Sequence, residues 1–258
     1  MLRALRLGAG PVAQDATPTP FSQATPAQHS IKSEILCMNS NTVSVLAVVV
    51  SYLFGGIPIG LLVGRAKGID DIRKYGSGNI GASNVLRVIG VKAGLFVWFA
   101  DALKGFIPVT VAVAVLHLPG WPVAAVAVAA MVGHCFSPYL RLTGGKGVST
   151  SLGVIIGLDW RVGLICFVIW IAIVGVTRYI SLGSMIACAL GTPVMLLFRD
   201  PFTSVAAAAA IAAVVIIRHA PNIQRLLNGT ERKIGQKEQV AEPVVDGPTP
   251  GSGGEADE

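Results

Sequence analysis

The run S-G-N-I-G-A-S-N-V-L-R, Ser77 to Arg87, gathers hydroxyls, amides and one guanidinium among small residues. Gly76, Gly78 and Gly81 carry no Cβ and reach positive φ cheaply, so the backbone here can approach a ligand closely. The remaining polar side chains, Ser77, Asn79, Ser83, Asn84 and Arg87, are mostly hydrogen-bond donors. Donors converging beside an arginine suit a phosphate or a carboxylate. The alternative is a plain Gly/Ser/Asn loop between helices.

A second polar run, T-G-G-K-G-V-S-T from Thr143 to Thr150, opens directly into an apolar stretch. Backbone N–H groups of a Gly-rich turn at a helix N-terminus form an anion cradle. Gly144, Gly145 and Gly147 supply the turn, Ser149 a hydroxyl, and Lys146 a mobile positive charge. This is not a nucleotide-binding Walker loop: Leu140 stands where its first glycine is needed, and Gly147 where Ser or Thr should follow the lysine. Phosphate without a nucleotide is the better reading, against a flexible basic loop. The third run, T-R-Y-I-S-L-G-S, offers Ser181 and Ser184 beside Arg178 and Tyr179, which are ordinary interface anchors. The fourth starts R-H-A-P-N-I-Q-R at Arg218. Pro221 suits the first turn of a helix, and His219 and Asn222, three apart, point at one ligand. Ile223, Leu226 and Leu227 give that helix an apolar side for the membrane surface.

These runs must be positioned by membrane helices. The chain is 53% hydrophobic and 13% charged, with mean hydropathy +0.67, too apolar for a soluble domain of 258 residues. The net charge of +6 and pI of about 9.4 do not indicate nucleic acid, because the basic residues fall in short connections between apolar spans. Spans are predicted at about 43–63, 93–116, 121–140, 148–158, 162–177, 183–198 and 203–217. The expected fold is therefore an all-α polytopic transmembrane bundle of about seven helices. Its fourth span is short of the roughly 20 residues that cross about 30 Å of hydrocarbon. Gly56, Gly60 and Gly64 would form a flat packing face on the first. Asp101 and Lys104 lie inside the second. Intramembrane ionisable residues are either functional or neutralise each other and hold the loops above them in shape. His134 and Cys135, ending the third span, are similarly placed.

Lysines and arginines concentrate in the connections after spans 1, 3, 5 and 7, which places the amino terminus outside and the carboxyl terminus and all four polar runs in the cytoplasm. Residues 1–42 read as a disordered extension, 43–235 as the transmembrane domain, and 236–258 as a disordered acidic tail rich in Pro and Gly. Met38 is a second candidate start. Cys37, Cys135, Cys166 and Cys188 are scattered without ligand spacing, so neither a metal site nor a disulfide is indicated.

Taken in order, S-G-N-I-G-A-S-N-V-L-R, G-H-C-F-S-P-Y-L-R-L-T-G-G-K-G-V-S-T, R-Y-I-S-L-G-S and R-H-A-P-N-I-Q-R-L-L-N-G-T-E resemble the bacterial membrane acyl-phosphate:glycerol-3-phosphate acyltransferases, as does F-A-D-A-L-K-G in span two. The resemblance covers about residues 43–235 and implies a seven-helix fold of the inner membrane with its motifs on the cytoplasmic side. It implies transfer of a fatty acyl group from acyl phosphate to position 1 of glycerol 3-phosphate, giving lysophosphatidic acid and phosphate at an early step of phospholipid synthesis. No cofactor is implied. A soluble enzyme that makes acyl phosphate is an implied partner.

By resemblance, Ser77, Arg87 and Lys146 would bind and neutralise phosphate, Gly144, Gly145 and Gly147 would shape the loop, and His219 and Asn222 would position glycerol 3-phosphate. Asn79, Gly81, Asn84, Ser149 and Ser181 complete the expected substrate-binding set. The chain departs from the family pattern at Ser83, usually Thr, at Ser149, usually Ala, and at Ala220-Pro221, usually Arg and an acidic residue. His219 is either a general base or only a positioning group. The second fits better, since acyl phosphate is already reactive, its own oxygen can take the proton, and no carboxylate neighbours His219 in sequence. A transporter of small anions, a membrane scaffold, and an acyl-CoA-dependent enzyme are the rival readings. No inverted repeat supports the first, and no H-x-x-x-x-D pair supports the last.

Overall fold

The computed structural model describes residues 39–236, so the readings of 1–38 and 237–258 as extension and tail lie outside the described residues. The chain divides into two units, Met1–Val43 and Ser44–Glu258. Of the first, only the residues that begin helix α1 are described.

The described residues form helices and their connections, without a strand. Helix α1 is Ser40–Gly56, α2 Ile59–Ala66, α3 Ala82–Val88, α4 Val91–Thr110, α5 Gly120–Cys135, α6 Val148–Leu158, α7 Trp160–Thr177, α8 Ile180–Leu197, α9 Phe202–Arg218 and α10 Ala220–Leu227. Five segments are long and apolar enough to cross a membrane: Ser40–Ala66, Val91–Val115, Gly120–Leu140, α7 and α8. Helix α9, with α10 bent from its end, makes a sixth, so six of the seven expected spans are long enough to cross and the short α6 is not.

The first span is broken. Pro58 has no N–H to donate and drives Ile57 out of the helical region, so α1 and α2 are separate helices. The expected packing face does not survive the break. Gly56 ends α1 against Pro138, whereas Gly60 and Gly64 on α2 lie against Ile80 and Ile72 of the polar connection. Carbonyls freed at the break are taken up by buried side chains: the Ser137 hydroxyl donates to Gly56 O at 2.6 Å, and the Lys104 ammonium to Ile57 O at 2.6 Å.

Helix α6, with 11 residues, is about 16 Å long and cannot cross alone. It is an internal element instead, packed chiefly on α4 and α7, with Thr150, Ser151, Val154 and Ile155 buried. Two glycines let α4 and α6 approach backbone to backbone. A Cβ on Gly105 would strike Thr150 O, and one on Gly153 would strike Ala102 O. The core around α6 joins Val109, Met131, Val154, Ile211 and Val215, so α4, α5, α6 and α9 surround one apolar centre. A short helix buried at the centre brings its N-terminus, and the loop before it, down into the bundle.

Candidate active site

The loop that enters α6 is folded back on the end of α5. After the turn Pro138–Leu140, Arg141 and Leu142 both take left-handed backbone angles, with φ of 52° and 61°, and reverse the chain. The returning segment reaches the level of His134, where the Gly145 N–H donates to His134 O at 3.1 Å. Only glycine fits here, since a Cβ on Gly144 would strike the His134 carbonyl and one on Gly145 the imidazole ring. Gly147, at φ +81°, then starts α6. From the far side Arg218 grips the same loop, Nη2 donating to Gly144 O at 2.8 Å and Nε to Gly145 O at 3.2 Å. With its carbonyls held behind, the loop presents Lys146 and the unpaired N–H groups of the first turn of α6 forward.

Lys146 Nζ donates to Asn222 Oδ1 at 2.5 Å. Burial pushes the Lys146 ammonium down to about 8, helped by Arg225, Arg87 and Arg218 and opposed by Glu231. Asn222 is buried at the start of α10, and its amide also donates to Glu231 Oε1 at 2.6 Å. Ser181, on the first turn of α8, donates to that same oxygen at 2.6 Å, and Arg225 Nε to Glu231 Oε2 at 2.7 Å. Burial raises the Glu231 carboxyl, but the bonds from Ser181, Asn222 and Arg225 outweigh it and hold the group below its usual range. A chain of bonds thus runs from Lys146 through Asn222 and Glu231 to Ser181 and Arg225, tying three of the four polar runs together.

Pro221 falls in the first turn of α10, where its missing N–H costs nothing, and the helix turns 57° from α9. The departure from the family pattern at Ala220-Pro221 therefore leaves the helix start intact, with the Asn222 N–H donating to His219 O at 2.8 Å. His219 is buried at the bend. Its Nδ1 lies 2.8 Å from Val215 O, which can only accept, so Nδ1 carries the proton and the Nε2 lone pair is available. The site does hold a carboxylate, Glu231, but it bonds Asn222, Ser181 and Arg225 rather than the His219 ring.

The first polar run is organised by Asn84, which is fully buried. Its Oδ1 accepts from Ser77 N at 2.7 Å and Ser77 Oγ at 3.2 Å, and its amide donates to Ile72 O, Tyr75 O and Asn79 O at 2.8–3.2 Å. Asn79 Oδ1 accepts from the Gly81 N–H at 2.8 Å, forming a tight turn before α3. Asn84 thus shapes the loop from behind, as Gly144 and Gly145 do in theirs.

One cavity of about 440 Å³ collects most of the rest. Ser77, Asn79, Gly81 and Arg87 line it from the first run, and Lys146, Gly147 and Ser149 from the second. Ser181, His219 and Asn222 complete it from the third and fourth. Three groups not singled out in the sequence stand with them: Glu231, Arg225 and Arg232. Glu231 was legible as the acidic end of R-H-A-P-N-I-Q-R-L-L-N-G-T-E, but no spacing rule connects it to Ser181, 50 residues earlier. Deeper in, the cavity becomes apolar between α4, α6, α7, α8 and α9, past Trp98, Phe167, Trp170, Ala187 and Ile211. The three rings are in contact, with centroids 5.7 Å apart for Trp98–Phe167 and 6.0 Å for Phe167–Trp170.

Residues 45–229 match the model of the family described as glycerol-3-phosphate acyltransferase. A glycerol-3-phosphate acyltransferase of Syntrophotalea carbinolica is 44% identical over 189 residues, covering 73% of this chain and 96% of that protein. One of Thermus thermophilus is 42% identical over 199 residues, 77% of this chain and 99% of that protein. The crystal structure of PlsY, an integral membrane glycerol 3-phosphate acyltransferase, in its glycerol 3-phosphate form superposes with a TM-score of 0.72 at 37% identity. It covers 75% of this chain and 96% of that one. Its lysophosphatidic acid form gives 0.71 at the same identity. The family match runs from within α1 to past the end of α10, and the relatives are covered over nearly their full length, so the chain belongs to the glycerol-3-phosphate acyltransferase family.

Proposed function

We propose that this chain transfers a fatty acyl group from acyl phosphate to position 1 of glycerol 3-phosphate, releasing inorganic phosphate and lysophosphatidic acid. The observation that carries the proposal is the continuity of one cavity from a polar end, walled by Lys146, Arg87 and Arg225, to an apolar depth between membrane helices. Both substrates bring a phosphate, and one brings a long chain.

In the reaction the primary hydroxyl of glycerol 3-phosphate attacks the acyl carbonyl carbon, and the carbon–oxygen bond to phosphate breaks. The leaving phosphate takes the negative charge and, in the reading favoured here, the hydroxyl proton. Lys146, Arg87, Ser77 and the N-terminus of α6 stabilise that charge as it grows. Asn222, Ser181 and Arg225, joined through Glu231, fix the glycerol phosphate, and the His219 Nε2 lone pair orients the attacking hydroxyl. The acyl chain lies along Trp98, Phe167 and Trp170 within the bundle. The same reading places the polar runs and the carboxyl terminus in the cytoplasm, where a soluble acyl-phosphate-producing enzyme supplies the donor.

The test is acyl transfer by the purified protein in lipid, with glycerol 3-phosphate and either palmitoyl phosphate or palmitoyl-CoA. Lysophosphatidic acid from acyl phosphate alone is the expected result. Product from the CoA thioester alone overturns the donor, and no product from either overturns the activity.

A further inference from the structure

Beneath the Thr143–Gly147 loop lies a buried polar group to which the reaction above gives no part. Asp101 and Lys104, in the middle of α4, and His134, in the last turn of α5, are each only 3–4% exposed. Lys104 Nζ stands 2.9 Å from Asp101 Oδ1, 2.6 Å from Ile57 O and 3.3 Å from His134 Nδ1. Burying an ion pair at such depth is costly, and replacing it with apolar groups of the same shape is often neutral or better. The pair therefore calls for a role beyond stability.

The geometry supplies one. An ammonium has three donors and no acceptor, so the Nδ1 facing it must be the accepting nitrogen of a neutral ring, and the proton sits on Nε2. Nε2 is the atom that a Cβ on Gly145 would strike, so it lies directly against the phosphate-loop backbone, and His134 also lines the cavity. The same residue's carbonyl accepts the Gly145 N–H at 3.1 Å. Asp101 Oδ1 has no well-aligned hydrogen bond among the described residues; it fixes the ammonium at 2.9 Å and lies 3.7 Å from His134 Nδ1, beyond hydrogen-bond reach, and Asp101, like His134, lines the cavity. The chain of orientation runs from Asp101 to Lys104 to His134 to Gly145, one residue before Lys146. Lys104 also ties this chain to the break between α1 and α2 through Ile57 O.

We propose that Asp101, Lys104 and His134 form a buried positioning unit for phosphate, in which Lys104 locks His134 in the Nε2–H tautomer so that this N–H faces the loop bearing Lys146. The unit positions and is not itself the seat of acyl transfer. The inference rests on the reading of that loop as the phosphate site, but its first test does not need activity.

Nitrogen NMR of the protein labelled at histidine side chains, in lipid, reads the tautomer directly. His134, assigned by its absence from His134→Asn, is expected as Nε2–H with an accepting Nδ1, and Lys104→Met is expected to release it into a mixture. An Nδ1–H form in the unmodified protein overturns the proposal whether or not the protein transfers acyl groups. The second test compares His134→Gln, whose amide nitrogen replaces Nε2, with His134→Asn, whose amide replaces Nδ1 instead. His134→Asn is expected to raise KM for palmitoyl phosphate about tenfold or more, the size of losing one bond to a charged oxygen or its loop, with a smaller change in kcat. His134→Gln is expected to recover most of that loss at equal thermal stability. Equal effects of the two variants, or losses that only follow stability, would show a packing role and overturn the proposal.

Discussion

Where α6 meets α7, at the end of the bundle away from the cavity, Asp159 accepts from Arg161 N at 2.8 Å, from Nε at 3.0 Å and from Nη2 at 2.5 Å. The Arg161 guanidinium also covers the Phe198 ring at 4.7 Å and lies 4.0 Å from Asp200. Its bond to Asp159 holds that carboxyl below its usual range, while burial pushes Asp200 up. Here two carboxylates meet one cation, and the charges settle among themselves. At the cavity end the proportions are reversed. Arg87, Lys146, Arg225 and Arg232 surround the opening, and Glu231 is the carboxylate among them. Burial and the neighbouring cations depress Lys146, which is the signature of positive charges held together in anticipation of an anion. The contrast separates charge that staples a helix end from charge arranged to receive a substrate.

Removing the cations at the cavity end should give the largest effects. Lys146→Ala is expected to lower kcat/KM for acyl phosphate by about 10³-fold and Arg87→Ala by about 10²-fold, the range seen when a donor to developing negative charge is lost. Both proteins should stay folded in membranes, checked by thermal unfolding of the purified variants. Near-normal turnover in either one would remove it from the phosphate clamp.

The His219 question has a smaller expected effect. With Nδ1 committed to Val215 O at 2.8 Å, Nε2 is the reacting-side nitrogen, and Gln at this position can still accept a bond from the substrate hydroxyl. His219→Gln should therefore retain measurable turnover, about tenfold down. A loss as deep as that of Lys146→Ala would mean that His219 takes the proton itself.

Smaller again is a pH effect. A lysine whose pKa is lowered to about 8 is charged below that pH and neutral above it. In the free enzyme kcat/KM for acyl phosphate should be flat on the acid side of about 8 and fall above it, about tenfold for each further pH unit. Lys146→Arg, whatever its absolute rate, should lose this falling limb, because a guanidinium stays charged throughout. A limb that persists in Lys146→Arg would assign the titration to another group.

Much of this arrangement was legible in the sequence, and the reasons are specific. Six of the seven expected spans follow from hydropathy because a helix in lipid must satisfy its own backbone, while the seventh, α6, is an apolar run too short to cross and is buried among the other helices. The four polar runs could be placed at one end by counting lysines and arginines. What could not be read was which members of each run face the ligand. Asn84 and Ser77 look equivalent as donors, yet Asn84 is buried holding the loop while Ser77 opens on the cavity. Pro58 was visible, but nothing local indicated that Lys104, far along the chain, would donate to the Ile57 carbonyl freed beside it. The partnership of Ser181 with Glu231, and that of Arg218 with Gly144, join runs far apart in the chain. Such pairings depend on how helices cross, and that information is distributed over every packed side chain.

The smallest predicted effect belongs to the far end. Arg161 is half exposed, and its partners Asp159 and Asp200 are both local to the two connections there. Only the Arg161 end of its pair with Asp159 is open to water, whereas Asp159 is buried, so losing the guanidinium is felt locally at that carboxylate. Arg161→Ala should still leave the rate within about twofold of the unmodified protein, since among the described residues no bond links it to the cavity. Its effect should appear instead in how firmly α7 begins, because Asp159 would keep its bond to the Arg161 backbone N–H at 2.8 Å but lose its counter-ion. Faster amide exchange confined to the first turn of α7, with unchanged kinetics, is the expected pattern. A fall in kcat/KM comparable to that of His219→Gln would mean that the two ends of the bundle are coupled, through α7 or through the apolar depth of the cavity between them.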